Sequence, residues 1–187
     1  MPDGQARPAV MVFAGPNGSG KTTVTRRFKL IGTYVNADDL KADYRLTDIE
    51  AARQAEAIRT SLVDKGEDFT FETVLSTERN LLLLERAKQK GYEMQGVFVL
   101  TRDADINVAR VKARKASGGH DVPEEKIRSR YHRALSLLPR LIGLCDRILV
   151  IDNSDAQALL FDKAGSHQQL FPSQNWSEAA LRKLLGL

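Results

Sequence analysis

The sequence predicts an α/β fold in which a five-stranded, mostly parallel sheet carries helices on both faces. Two observations support this prediction. Short apolar runs alternate with longer segments of helical periodicity, and no internal repeat or linker divides the chain. Because 187 residues suit one domain, we expect a single domain over residues 1–187.

The five strands are predicted from apolar runs bounded by turn residues, at 10–14, 34–36, 69–71, 97–100 and 147–151. Capping and stop signals bound the helices: Thr47 and Glu50 have capping-box spacing, Gly66 is a stop, and Pro123 suits a first helical turn. Helices are expected at 20–31, 48–65, 77–90, 103–116 and onward from Pro123. In the tail we expect a small hairpin of 159–162 and 169–171, then a helix over 175–185.

A phosphate-binding motif follows the first strand. Residues 15–22 read Gly-Pro-Asn-Gly-Ser-Gly-Lys-Thr and complete the pattern G-x-x-x-x-G-K-[ST] between a strand and a helix. In this pattern backbone N–H groups turn toward the phosphates, Lys21 reaches the β- and γ-phosphates, and Thr22 offers its hydroxyl to Mg²⁺. The motif predicts a P-loop NTPase fold with a site for a nucleoside triphosphate and Mg²⁺. The expected nucleotide contacts are Gly15, Pro16, Asn17, Gly18, Ser19, Gly20, Lys21, Thr22, Thr23 and, after the last strand, Asn153.

Acidic residues follow the second and third strands, at the sheet edge where ligands of such folds gather. Asp38 is the candidate base that accepts the proton of an attacking hydroxyl, and helix capping is the alternative role. Asp39, Glu72 and Thr73 are candidate substrate-binding residues. Glu72 is also a candidate metal contact, and a solvated charge before a helix is its alternative role. No apolar strand ends in the Asp-Glu pair of a motor ATPase, which favours phosphoryl transfer to a small acceptor.

Positive charge is concentrated in residues 101–140, which hold ten Lys/Arg and five Asp/Glu in a chain of net charge +4. Helical segments flank a glycine turn there, so we expect a helical lid insertion at about 110–135. Lid arginines can neutralise the charge of a transferred phosphoryl group, and a solvated helix face is the alternative. The lid candidates are Arg110, Arg114, His120, Arg128 and Arg130.

Composition excludes several other classes. A single cysteine, Cys145, excludes an intramolecular disulfide and a multi-cysteine zinc site. No apolar run approaches the ~20 residues of a membrane span, and the first ten residues do not resemble a secretory signal, so a cytoplasmic protein is expected. The absence of a long basic run with interleaved aromatic residues disfavours a nucleic-acid partner.

Six segments taken together resemble the zeta toxin family of P-loop kinases. They are AGPNGSGKTT (14–23), VNADDL (35–40), FETVLS (71–76), GYEMQGVFVL (91–100), GGHDVPEEKIRSRY (118–131) and IDNS (151–154). The best-known members of this family phosphorylate the 3′-hydroxyl of UDP-N-acetylglucosamine with ATP and Mg²⁺. Several are paired with a small antitoxin protein that occludes the ATP site. The resemblance is to the compact branch of the family.

The resemblance also implies roles for individual residues. Lys21 and Thr22 match the Walker A residues, Asp38 matches the catalytic aspartate, and Glu72 matches an acidic substrate contact. The phosphate-binding arginines of the family match Arg114, which is a candidate catalytic residue, and either Arg128 or Arg130.

The expected function is therefore an ATP-dependent small-molecule kinase that transfers the γ-phosphate to a hydroxyl of a UDP-sugar such as UDP-N-acetylglucosamine. A kinase for another small acceptor, such as a nucleotide, sugar or antibiotic, is the first alternative. A regulatory ATPase or nucleotide-dependent binding module is the second, and a degenerate toxin that only binds an antitoxin is the third.

Overall fold

The computed structural model describes residues 7–116 and 122–187. Its strands are β1 Ala9–Ala14, β2 Thr33–Val35, β3 Phe69–Thr73, β4 Glu93–Leu100, β5 Arg147–Asp152, β6 Ala158–Ala164 and β7 His167–Leu170. Its helices are α1 Lys21–Thr25, α2 Ala37–Tyr44, α3 Asp48–Lys65, α4 Arg79–Gln89, α5 Ala104–Ala116, α6 Glu124–Leu144 and α7 Glu178–Leu185. Across the described ranges, no helix combines the length and apolarity of a membrane span.

The strands form one sheet in the order β2-β3-β1-β4-β5-β6-β7. The first five strands in this order are parallel, whereas β6 and β7 are antiparallel to their neighbours. The carboxyl ends of β1 to β5 therefore lie at one edge, and the loops that follow them meet there. The predicted α/β class with a mostly parallel sheet is confirmed.

The sheet has seven strands rather than the predicted five, because the expected hairpin is not a separate unit. It is present as β6 and β7, and β6 pairs with β5 along its length. The buried side chains of Leu160 and Phe161 extend the apolar core across this edge. Burial of these two side chains is the physical reason why the hairpin joins the sheet.

Helices cover both faces of the sheet. On one face, β1 residues Val10 and Val12 join a large core that includes α3, α4, α6 and α7. On the other face, Met11 and Phe13 pack with Val24 of α1 and with the segment after it. This alternation along β1 is what a strand buried on both sides requires.

The predicted helix 48–65 coincides with α3. Thr47 and Glu50 form the capping box at its start, and Gly66 ends it at φ 71°. By contrast, the expected helix 20–31 is only the five-residue α1, which contains four β-branched residues of low helix propensity. Phe28 then packs edge-on against Phe13 and draws the chain onto the sheet.

The segment predicted as a lid belongs to two regular helices. Residues 110–116 are the end of α5, and α6 begins at Glu124 after Pro123. Val108 and Val111 of α5 pack with Val122 and Ile127 in a small core of their own. The glycine turn with His120 lies outside the described residues, so the movement of a lid stays a prediction.

Candidate active site

The P-loop between β1 and α1 packs so closely that Gly15 and Gly20 have no room for a side chain. A Cβ at Gly15 would lie 2.0 Å from the carbonyl oxygen of Val99, and φ is +142° there. A Cβ at Gly20 would lie 2.2 Å from Nδ2 of Asn153, with φ at +90°. Only glycine combines these left-handed dihedrals with such close approaches.

Hydrogen bonds from three directions hold this loop. The amide of Asn153 donates to the carbonyl of Ser19 at 2.7 Å. The amide of Asn107, on α5, donates to the carbonyl of Asn17 at 2.6 Å. The backbone N–H of Gly15 donates to a β3 carbonyl at 3.2 Å. The loop is therefore held in its folded shape by contacts within the protein, and Asn153, an expected nucleotide contact, is engaged with the loop itself.

Lys21 is held inside the loop. Its Nζ donates to the carbonyl oxygens of Gly15 at 2.7 Å and Pro16 at 3.0 Å. Burial lowers the pKa of Lys21 to about 8, while the carboxylates of Glu72 and Asp38 act in the opposite direction. A lysine with this pKa is mostly charged at neutral pH and carries a poorly solvated charge.

A chain of hydrogen bonds links the P-loop to the ends of β3 and β2. The hydroxyl of Thr22 donates to one carboxylate oxygen of Glu72 at 3.0 Å, and the hydroxyl of Tyr34 donates to the other at 2.8 Å. Asn36 donates to the Tyr34 hydroxyl at 3.1 Å. Burial, together with Glu72, raises the pKa of Tyr34, so this phenol remains a donor. Glu72 is thereby oriented at the mouth of the loop.

Thr22 and Glu72 fit a magnesium site in a nucleotide complex. Both present oxygen atoms, the ligand type that Mg²⁺ prefers, and they lie side by side. In the part of the chain that the structure describes, no cluster of three or more His, Cys, Asp or Glu side chains could hold a metal. A site of one or two protein oxygens completed by phosphates and water is how proteins usually hold Mg²⁺.

Asp38 and Asp39 occupy the first turn of α2, and both are exposed. The cap of this helix is Asn36, whose side chain accepts from the backbone N–H of Asp38 at 3.0 Å. Asp38 is therefore not the capping residue, and its carboxylate lines the cleft beside the P-loop. Asp39 is not among the cleft residues, and partial desolvation of its carboxylate, together with the nearby Glu72, raises its pKa.

The cleft at this sheet edge has a volume of about 730 Å³. It brings together most of the residues that the sequence singled out. Those lining it are Asn17, Gly18, Gly20, Lys21, Thr22, Thr23, Asp38, Glu72, Thr73, Arg110, Arg114 and Arg130. The hydroxyl of Thr73 accepts from Asn80 at 2.7 Å, so it orders the segment after β3.

The four described lid arginines are placed differently. Arg110 donates to the carbonyls of Asn153 at 2.7 Å and Ser154 at 2.9 Å, which ties α5 to the segment after β5. Arg114 and Arg130 line the cleft. Arg128 is bonded to carboxylates on the outer surface of α5 and α6, and it does not line the cleft. Arg128 and Arg130 are two positions apart, which sends them to opposite faces of α6.

The site also contains residues that were not predicted from the sequence, among them Tyr34, Asn107 and Arg59. Tyr34 and Asn107 support Glu72 and the P-loop, and Arg59 of α3 lies in the cleft wall. Asn107 and Arg59 each carried a signal, because a polar residue stands at a buried position of an otherwise apolar helix face. Tyr34 carried none.

The sequence model of the zeta toxin family matches residues 29–165. An uncharacterized protein of Haemophilus influenzae is 30% identical over 126 residues, which cover 64% of this chain and 89% of that protein. The region matched by the family model contains Asp38, Glu72 and the arginines of α5 and α6.

Solved structures with the same fold include two protein systems. One is the AvrRxo1-ORF1:AvrRxo1-ORF2 complex, which is 15% identical to this chain. Its structure with sulphate ions superposes with a TM-score of 0.74, and its structure with ATP superposes with a TM-score of 0.72. The PezAT toxin-antitoxin system of Streptococcus pneumoniae gives 0.60 at 16% identity, over 98% of this chain and 80% of that one.

The superposition on the AvrRxo1 chain covers 96% of this chain but only 64% of the AvrRxo1 chain. This chain therefore spans less than two thirds of that relative's length. At these identities, the structural matches establish the fold. The family match covers well over half of the chain and agrees with this fold. The chain therefore belongs to the zeta toxin family of P-loop kinases.

Proposed function

We propose that the chain is an ATP-dependent kinase that transfers the γ-phosphate to a hydroxyl of a small acceptor, and that a UDP-sugar such as UDP-N-acetylglucosamine is this acceptor. The observation that carries the proposal is the meeting of Lys21, Thr22, Glu72 and Asp38 on one cleft of about 730 Å³. This volume lies within the usual range of small-molecule sites.

ATP binding is the role of the P-loop and its neighbours. The backbone N–H groups of residues 15–23 would bind the phosphates, and Lys21 would exchange its two carbonyl partners for phosphate oxygens. This exchange is favourable because a phosphate neutralises a buried ammonium more completely than a carbonyl does. The hydrogen bonds from Asn153 and Asn107 keep the loop in shape before ATP arrives.

Mg²⁺ would be held by Thr22 and Glu72 together with the phosphates of ATP. When bound, the ion neutralises part of the phosphate charge. Tyr34 holds the second carboxylate oxygen of Glu72, so that the first stays directed at the Thr22 hydroxyl.

Asp38 is the proposed general base. The acceptor oxygen attacks the γ-phosphorus, the bond from that phosphorus to the β–γ bridging oxygen breaks, ADP leaves, and the hydroxyl proton passes to the Asp38 carboxylate. Asp38 is exposed at the cleft and is free of the capping role that Asn36 performs, which supports this assignment. Arg114 and Arg130 are the proposed ligands of the transferred phosphoryl group.

A small antitoxin protein is the proposed macromolecular partner, since a structural relative belongs to a toxin-antitoxin system. We also propose that residues 1–187 act as one kinase domain, with a lid at about 110–135.

The first test is ADP release by the purified protein with Mg·ATP, with and without a panel of UDP-sugars. We expect strong stimulation by UDP-N-acetylglucosamine and a loss of about 100-fold or more in Asp38→Asn, with ATP binding retained. Lys21→Ala should abolish activity. Asp39→Asn is the matched control, because it makes the same change at the next residue, outside the cleft lining.

Each other outcome contradicts a defined part of the proposal. Full transfer in Asp38→Asn would show that another group is the base. Stimulation only by a nucleotide, plain sugar or antibiotic would replace the UDP-sugar as acceptor. Hydrolysis that needs no acceptor and rises with a protein partner would favour a regulatory ATPase.

A further inference from the structure

Arg59 of α3 is a buried cation that lacks a hydrogen-bond partner at Nε. Its exposed fraction is 7%, and no acceptor within residues 7–116 or 122–187 bonds its Nε. Burial lowers the pKa of its guanidinium, and only Glu56 opposes this effect. Glu56 itself is exposed and pairs with Arg79 at 3.7 Å. An unpaired buried charge lowers the stability of the folded protein. A bound anion would remove this cost by neutralising the guanidinium of Arg59.

The guanidinium of Arg59 is held in a defined place. It lies over the ring of Phe71, with 5.0 Å between its central carbon and the ring centroid. The aromatic face partly compensates the positive charge and limits the motion of the side chain. Phe71 directly precedes Glu72 in β3, so Arg59 is anchored at the same strand end that supplies the active site.

The wall around Arg59 leaves room for a ligand. The residues of α3 that line the cleft with it are Asp48, whose carboxylate pairs with Lys41 at 2.6 Å, and Ala51, Ala52 and Ala55, which have the smallest side chains after glycine. Ala51, Ala55 and Arg59 are spaced by four, so they share one face of the helix. The cleft therefore has an alanine-lined wall that ends in one cation.

This wall lies apart from the arginines proposed to bind the transferred phosphoryl group. In the sheet, β2 and β3 lie on one side of β1, and β4 and β5 lie on the other. Arg59 packs on β3, whereas Arg114 belongs to α5, the helix that Arg110 ties to the segment after β5. The positive charge at Arg59 is thus on the side of the P-loop where Asp38 and Glu72 stand.

We propose that Arg59 binds an anionic group of the acceptor, a phosphate or carboxylate remote from the hydroxyl that is phosphorylated. This inference rests on the proposed kinase function and adds a selection rule to it. The enzyme discriminates against acceptors that carry the same hydroxyls without the anion, because only the anion neutralises the buried guanidinium.

Steady-state transfer from saturating Mg·ATP tests the rule with matched acceptors. UDP-N-acetylglucosamine is compared with N-acetylglucosamine, and glucose 6-phosphate and glucuronate are compared with glucose. The wild-type protein should prefer the charged member of a pair. In Arg59→Met, which keeps an unbranched chain over Phe71, the KM for that member should rise about 10- to 100-fold with kcat nearly unchanged. The preferred anion identifies phosphate or carboxylate as the recognised group.

Two variants separate anion binding from a structural role. Arg53→Met removes an exposed arginine from the same helix and should leave every KM unchanged. Arg59→Lys keeps the charge and should recover part of the preference for the charged acceptor. Equal KM changes for charged and neutral acceptors in Arg59→Met would overturn the proposal, since a purely structural arginine would produce that result.

A second readout does not depend on catalysis. The Nε–Hε resonance of Arg59, assigned by its loss in Arg59→Lys, should shift when UDP-N-acetylglucosamine or glucose 6-phosphate is added and stay unchanged with glucose. A shift without phosphoryl transfer would sustain the anion site and contradict the kinase assignment. A resonance unmoved by every charged probe would overturn the anion site, even if transfer occurs.

Discussion

The side-chain amide of Asn153 donates a hydrogen bond to the carbonyl oxygen of Ser19 across 2.7 Å, in the space that a Cβ of Gly20 would otherwise occupy. This contact joins the end of β5 to the phosphate-binding loop. The segment around Asn153 is itself supported, because Asp152 accepts from Trp176 at 3.1 Å and from the N–H of Ser154 at 2.8 Å. Trp176, in the C-terminal region, thus supports the phosphate-binding loop indirectly, through the segment of Asp152 and Asn153.

Asn153→Ala should weaken ATP binding without affecting the acceptor. The substitution removes one hydrogen bond that holds the phosphate-binding loop in shape. We therefore expect the KM for ATP to rise about 3- to 10-fold. Initial rates at varied ATP measure it, and Gln157→Ala, an exposed change shortly after it, is the control. An unchanged KM for ATP would mean that the loop keeps its shape without this contact.

Glu72→Gln should raise the Mg²⁺ concentration needed for half-maximal activity by about 10-fold or more. The amide still accepts a hydrogen bond from Thr22 but lacks the negative charge that attracts the ion. Activity is titrated with Mg²⁺ at fixed ATP, and Glu56→Gln is the matched exposed control. Identical magnesium curves for Glu72→Gln and the wild type would assign Glu72 to the acceptor alone.

ATP affinity should fall as the pH rises above about 8. In the free protein the pKa of Lys21 is lowered to about 8, so the ammonium loses its proton from this pH upward. Bound phosphates favour the charged form and raise that pKa, so binding above pH 8 requires uptake of a proton. Calorimetric titration with ATP between pH 7.5 and 9.5, in buffers of different ionisation enthalpy, measures the ATP affinity and the number of protons taken up on binding. A Lys21→Met variant should bind weakly, with little further loss over this range.

Arg130→Ala and Arg128→Ala should differ although the residues are two positions apart. Arg130 lines the cleft and its guanidinium reaches the side chain of Asn17 at 3.4 Å, whereas Arg128 is bonded to Glu124 at 2.8 Å. We expect the kcat to fall by about 10³-fold for Arg130→Ala and to change little for Arg128→Ala. Equal losses in single-turnover assays would argue that α6 rotates or moves during catalysis.

Cys145 should be inert in the native protein. It is buried at the end of α6, and burial raises its pKa to about 12, so its reactive thiolate is scarce at neutral pH. A chromogenic disulfide reagent at pH 8 should modify the thiol only after guanidinium is added. The thiol packs between α6 and β4, so close to Gly96 that a Cβ there would contact it. Rapid modification without denaturant would therefore reveal local opening between α6 and β4.

The features that the sequence predicted best were those set by local chemistry. The loop of residues 15–22 is specified by its glycines and lysine, and α3 is bounded by the capping box of Thr47 and by Gly66. Acidic residues at strand ends were foreseeable because parallel strands end at one edge. The helix 20–31 was predicted too long, since β-branched residues and the docking of Phe28 end α1 early.

Residue patterns in this sequence determined the α/β class, the phosphate-binding loop and the candidate acids, because each depends on neighbours within a few positions. Tertiary structure decided which helix face meets the cleft. The choice between Arg128 and Arg130 depends on how α6 docks on α5, and the burial of Arg59 over Phe71 depends on how α3 docks on β3. The sequence shows which residues share a helix face. Which surface that face contacts is decided only when elements distant in the chain pack together.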